Sequence, residues 1–189
     1  MCSLAAALSV TDASTFVATK AAAARCGSKL KEVEDFADKR KPGQTKATQF
    51  SGDEVNSYLA LNLGSKYHPC LKSLVIYFEE NRLQGVAAID FDRLGSGSAK
   101  FLPKLISLMF SGTHRLTADR QLLSKDGKAN FHLEKALFDD STLPNFLVEG
   151  IITAVGRKQK PPFDPLKPSK MPYNIDKVDV HAGYIIVYQ

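Results

Sequence analysis

The sequence predicts an α+β fold: an antiparallel sheet of about six strands, arranged as three hairpins, with helices packed on one face and a long N-terminal helix ahead of them. Three observations predict it. Short apolar runs are joined in pairs by turn residues, which favours antiparallel neighbours. Helical apolar spacing returns between the hairpins. The first forty residues are Ala-rich and carry their own loose helical stripe.

Residues 12–41, "DASTFVATKAAAARCGSKLKEVEDFADKRK", read as that long helix. Asp12 or Ser14 can cap its start, and Pro42-Gly43 stops it. Phe16, Val17, Ala21, Ala24, Leu30, Val33, Phe36 and Ala37 form its stripe, and Gly27 is a place for it to bend. "PGQTKATQ" then reads as a linker, so the chain divides into an N-terminal helix with linker (1–45) and one α+β domain (46–189).

"FSGDEVNSYLALNL" (50–63) is a short helix with explicit ends. Ser51 and Glu54 have the spacing of a capping box, Phe50 and Val55 that of a hydrophobic staple, and Gly64 that of a left-handed C-cap. So short a helix does not persist alone in water, so its stripe of Val55, Tyr58, Leu59 and Leu63 must lie on something.

"LKSLVIYFEENRLQGVAAIDFDRL" (71–94) is the first hairpin, turning at Glu79-Glu80-Asn81. Its first strand is apolar on both faces; in its second, Leu83, Gly85, Ala87, Ile89 and Phe91 share one face. "GSGS" (95–98) reads as a connector and "FLPKLISLMF" (101–110) as an apolar helix with Pro103 in its first turn. The second hairpin spans 113–138, turning at Asp126-Gly127, with Phe131, Leu133 and Leu137 on one face. Residues 141–155 form another Leu-Pro helix whose stripe is Phe146, Leu147, Ile151, Ile152 and Val155. The two hairpin–helix units hint at an internal duplication. Residues 157–172 carry five prolines and read as an extended crossing, neither helix nor central strand. The third hairpin, within 173–189, turns at His181-Ala182-Gly183.

With 189 residues, 44% of them hydrophobic and 24% charged, the chain falls in the globular class. No apolar run approaches the roughly 18 residues that span a bilayer. The net charge of +5 and pI near 9.0 permit attraction to anionic surfaces. The basic clusters at 38–41, 156–160 and 167–170 lack interleaved aromatics or a recognition helix, so no nucleic-acid partner is expected. "CSLAAALSV" has the length and apolarity of an export-signal core without its basic flank, which leaves a shortened export signal and a plain Ala-rich helix both open. The three cysteines, Cys2, Cys26 and Cys70, form no disulfide framework and read as buried or incidental thiols, with one disulfide as the alternative.

No catalytic motif surrounds His68, His114, His132 or His181, and no enzyme activity, cofactor or metal is expected. "YHPC" brings His68 and Cys70 together but offers only two ligand types where a structural zinc site takes four. Asp90 and Asp92 share a side of a strand and could serve acid–base chemistry or bind a cation, yet Arg93 beside them favours a polar outer face. These four residues are the alternative enzyme reading.

The remaining signal is an excess of long apolar side chains on both strand faces and on the helices. It fits either a thick filled core, a sheet covered twice, or an elongated apolar cavity between a curved sheet and its helices. In the cavity reading the protein binds or shields a lipid or other apolar ligand without catalysis. The lining residues would be Tyr58, Leu59, Leu63, Val75, Tyr77, Ile89, Phe91, Leu105, Met109, Phe131, Leu133, Leu147 and Ile151. Arg157 and Lys158 would meet a phosphate headgroup, with peripheral membrane contact. In the filled-core reading the chain is a structural or interaction module that assembles through its N-terminal helix.

The order of "FSGDEVNSYL", "VIYFEENRLQGVAAIDFDRL", the Leu-Pro helices and "MPYNIDKVDVHAGYIIVYQ" resembles small bacterial envelope proteins similar to the tubular lipid-binding (TULIP-like) superfamily. The likeness spans roughly residues 50–189. It implies a strongly curved antiparallel sheet wrapped around a long helix and an apolar groove, carries no catalytic residues, and favours the cell envelope or periplasm over the cytoplasm.

Overall fold

The computed structural model describes residues 16–95, 111–160, 162 and 164–189. It is α+β. A large antiparallel sheet has the order β2 (Leu71–Glu79), β3 (Arg82–Asp90), β4 (Thr113–Lys125), β5 (Lys128–Phe138), β6 (Ser141–Thr142), with the two-residue β7 (Ser169–Lys170) also paired to β5. A second antiparallel sheet has the order β1 (Ala47–Ser51), β9 (Tyr184–Tyr188), β8 (Lys177–His181).

All three hairpins form where turn residues place them. Asn81, Asp126, Gly127 and Gly183 take the positive φ that closes them. The third hairpin departs from a single sheet. It pairs with residues 47–51, read from sequence as the end of a linker (47–49) and the start of the next helix (50–51), and builds the small sheet instead. The stretch "ATQFS" is too short and too polar to announce a strand; its partner β9 supplies the ladder. The exposed edge at β8 is closed by Ser124, whose hydroxyl donates to the Val178 carbonyl and accepts from the Val178 amide, and by the Asn81 amide donating to the Val180 carbonyl.

Helix α1 (Lys20–Lys39) begins later than 12; Thr19 is its N-cap, accepting from the Ala22 amide, and the Asp12 and Ser14 caps lie outside the described residues. Cys26 and Val33 of α1 pack with Phe50 and Val187 of the small sheet, and Val55 and Tyr58 join them. Ala22 and Ala23 are buried, whereas Ala21 and Ala24 face solvent. Gly27 lies inside the unbroken run of α1, and a Cβ there would stand 3.5 Å from the Tyr58 ring, an ordinary van der Waals contact.

Helix α2 (Gly52–Tyr58) has the full capping box: Ser51 Oγ accepts from the Glu54 amide and Glu54 accepts from the Ser51 amide. It continues as a π turn, Leu59–Leu63, and a 3₁₀ turn, Gly64–Lys66. Gly64 is right-handed, with φ −53°, so it is not the left-handed cap its position suggests; the helix tightens to its end instead. The wider π turn re-aims the stripe. Tyr58 stays in the α1 cluster, while Leu59 and Leu63 turn toward the large sheet.

Helix α3 (Phe91–Gly95) is a single turn after β3. Helix α4 (Asn145–Lys158) starts at Pro144 and buries Val148, Ile151, Ile152, Ala154 and Gly156. Phe146, placed on its stripe from sequence, is 68% exposed. The buried face instead runs through Val148, Ile151, Ile152 and Val155, against Leu116, Leu133, Ala136 and Phe138 of β4 and β5. The helices therefore divide between two sheets, α1 on the small one and α4 on the large one. The helix expected at 101–110, which would complete the first unit of the suggested duplication, lies outside the described residues.

Candidate functional site

Two bulges decide which residues share the α4-facing side of the large sheet. Leu71 pairs Ile89 but Ser73 pairs Ala88, so Lys72 is the extra residue and Leu71 falls on the same face as Leu74 and Ile76. On β5, Arg120 pairs Leu133 while Asp119 pairs Lys135, leaving Glu134 extra. Beyond it the inward parity shifts, so Ala136 and Phe138 are buried and Leu137 is not, contrary to the plain alternation that grouped Leu137 with Phe131 and Leu133.

Along this face runs a groove of about 450 Å³, within the size range of small-molecule sites. Its floor is Leu83, Gly85, Ala87 and Ile89 of β3 with Leu116, Ala118 and Arg120 of β4. Leu71, Leu74 and Ile76 of β2 with Leu59 and Leu63 form one wall; Ile152, Val155, Gly156 and Gln159 of α4 form the other. Phe131 and Pro165 stand at the Arg120 end, where the Phe131 amide donates to the Pro165 carbonyl. From Ile89 to Leu83 the strand advances roughly 20 Å.

Among the described residues the groove is left open, because small residues sit where a filled core would place large ones. Gly85 lies on central strand β3, opposite Ala118 on β4 and Ile76 on β2. Among the described residues a Cβ at Gly85 would meet nothing within 4 Å. Glycine inside a strand costs about 0.5–1 kcal/mol relative to alanine and commonly marks close approach of another group. Ala87 and Ala118 extend the same low floor. The floor residues Leu83, Ile89, Leu116 and Ala118 are buried, and the wall residues Leu59, Leu63, Leu74, Ile76 and Val155 are half-buried, so the groove is reached from solvent along its rim.

Few polar groups enter it. Arg120 extends over the Phe131 ring at 5.8 Å, and burial pushes its guanidinium down to about 10. Among the described residues the buried Tyr67 hydroxyl has no hydrogen-bond partner, and burial raises its pKa. Gln159 is occupied, accepting from the His68 amide and donating to the Val155 carbonyl.

Of the residues expected to line a cavity, Leu59, Leu63, Ile89 and Phe131 do so. Leu133, Phe91 and Ile151 are buried in the core beneath, and Leu147 packs on that core. Val75 and Tyr77 do not line the groove: their β2 neighbours Leu74 and Ile76 do, and side chains alternate. Tyr58 belongs to the α1 cluster. Leu105 and Met109 lie outside the described residues. Arg157 is exposed and Lys158 half-exposed at the C-terminal end of α4, off the groove lining. Sequence reasoning missed Arg120 and Gly85. The signal was there, an arginine inside an otherwise apolar inward run of Leu116-x-Ala118-x-Arg120.

Comparison of the chain with protein-family models, curated proteins and solved structures returns no match.

Three residues of the enzyme reading, His68, Asp90 and Asp92, accept from backbone amides. His68 Nδ1 accepts from the Cys70 amide; burial, then Lys158 and Lys160, lowers its pKa. Cys70 is fully buried, which raises its thiol pKa, and Cys26 and Cys70 are both free thiols. Asp90 pairs Lys72 at 3.1 Å and Arg93 at 3.3 Å, and Asp92 accepts from the Gly112 amide. Among the described residues no group of three or more His, Cys, Asp or Glu is arranged to hold a metal ion. A second cleft, between the β4–β5 tip and β8, is lined largely by polar groups such as Asn81, Gln121, Ser124 and Asn130.

Proposed function

We propose that the protein binds a lipid or other apolar chain without catalysis, in the groove between the large sheet, the Leu59–Leu63 turn and α4. The observation that carries the reading is the Gly85–Ala87–Ala118 floor: three small side chains at the centre of a sheet whose surroundings are Leu, Ile and Phe. Evolution of a solid core would fill that space, because each buried methylene contributes about 0.8 kcal/mol. A guest chain supplies the missing apolar contact instead. The roughly 20 Å run of the groove exceeds the about 15 Å depth of one bilayer leaflet, so one extended acyl chain fits lengthwise. The reading is the one that the resemblance to tubular lipid-binding proteins implies, and it carries with it the proposal of a cell-envelope location.

The test is displacement of a fluorescent fatty-acid probe from the full chain, with native mass spectrometry for stoichiometry. Saturable one-to-one binding, displaced by unlabelled chains, supports the reading. A protein that takes up neither probe nor chain overturns it.

A further inference from the structure

Among the described residues the groove lining is apolar apart from Tyr67, Gln159 and one cation, Arg120, near one end. Arg120 is paired across the ladder with Leu83 and Leu133, neither of which offers an acceptor. The nearest carboxylates in sequence and register are engaged elsewhere: Asp119 accepts from Gln84, and Glu134 pairs Arg82 at 3.2 Å. Among the described residues the Arg120 side chain has no ion pair and no hydrogen bond; its contact is the face of Phe131. A guanidinium held in apolar surroundings without a counter-charge costs stability, and its planar fork matches an oxyanion bidentately. Opposite it, about 20 Å along β3, the groove ends at Leu71, Ile89 and Tyr67.

We infer that the occupant is a single-chain amphiphile with an oxyanion head, carboxylate or phosphate, whose head is held by Arg120 and whose tail lies over Gly85 and Ala87 toward Leu71. This rests on the apolar-chain reading above and specifies its ligand class and orientation. Arg120 is then a binding residue whose charge the ligand completes, and Arg157 and Lys158, off the groove lining at the C-terminal end of α4, are not the head site.

The test measures tetradecanoate, tetradecyl phosphate and tetradecanol against wild type, Arg120→Met and Lys158→Gln. Wild type should bind the two anions at least about tenfold tighter than the alcohol, and Arg120→Met should bind all three alike. Lys158→Gln should keep the preference, and the tighter of the two anions identifies the head. Thermal melts guard against misfolding: removing an unpaired, desolvated charge should leave Arg120→Met as stable as wild type or more so. Equal binding of alcohol and anions by wild type, or a preference lost in Lys158→Gln but kept in Arg120→Met, overturns the head assignment and leaves the groove reading standing. Failure of all three chains to bind overturns both.

Discussion

Lys29 Nζ lies 2.7 Å from Oε2 of Glu54, a carboxylate only 6% exposed, and this contact ties α1 to the start of α2. Arg25 reaches the other oxygen at 3.3 Å, and the same carboxylate accepts from the Ser51 amide. Glu54 thus closes the capping box and clamps α1 at once, and α2 in turn leads into the Leu59–Leu63 wall of the groove.

Breaking this clamp should loosen the groove wall. Lys29→Met leaves a buried carboxylate with Arg25 as its remaining cationic partner, and should cost about 1–2 kcal/mol in chemical denaturation. Glu54→Ala loses the cap as well and should cost about 2–3 kcal/mol. Burial alone would raise the Glu54 pKa, but Lys29, the Ser51 amide and Arg25 hold it below the ordinary 4.5. Its contribution to stability is therefore complete above that value and lost as pH falls through the lowered folded pKa. Glu54→Gln should flatten the acid limb of the stability–pH curve.

His114 should act in the opposite direction. It bonds Asp139, which raises its pKa above 6.5 despite partial burial, and the Ser111 carbonyl adds to the rise. Asp139 and Asp140 both have positive φ, and Asp139 also accepts from the Arg115 amide, so the pair anchors the turn from β5 to β6. This stabilisation is complete below 6.5 and lost as pH rises through the higher folded value. His114→Gln should remove the decline in melting temperature across that window while leaving ligand binding unchanged.

The alternation of β2 separates binding from stability. Leu74→Ala removes groove wall and should weaken chain binding several-fold. Val75, buried on the other face, should cost about 2 kcal/mol of stability as Val75→Ala without altering affinity.

Both described thiols should be inert in the native state. Burial, with Glu54 adding to it and Lys29 opposing, pushes Cys26 up to about 11, and burial raises Cys70. Alkylation at pH 8 should proceed only after unfolding, for Cys26 and Cys70 alike.

Much of the fold is readable in the sequence because its punctuation is local. The Ser51–Glu54 box and the Asp126-Gly127 turn each act through their own backbone and form where the pattern places them, whereas α4 runs on through Arg157 and Lys158 into the segment read as an extended crossing. The pairing of 47–51 with 184–188 is not local; nothing within "ATQFS" names its partner. The groove was half legible. Period-two alternation shows that β2 is apolar on both faces but cannot say which one meets α4, so Val75 and Tyr77 were favoured over Leu74 and Ile76. The bulges at Lys72 and Glu134 leave no sequence mark, yet each flips the inward set. The arginine in the run Leu116-x-Ala118-x-Arg120 is visible in the sequence, but that the space over Gly85 is open and that Arg120 lacks a counter-charge among the described residues are properties of the assembled sheet.

The most direct measurement is probe displacement by tetradecanoate in wild type and Gly85→Leu, with melting temperatures alongside. The leucine fills the open floor without backbone strain, so Gly85→Leu should melt no lower than wild type and lose displaceable binding by at least about tenfold. A Gly85→Leu protein that melts lower by more than a few degrees, or binds the chain as well as wild type does, would contradict a hollow groove that takes an apolar guest.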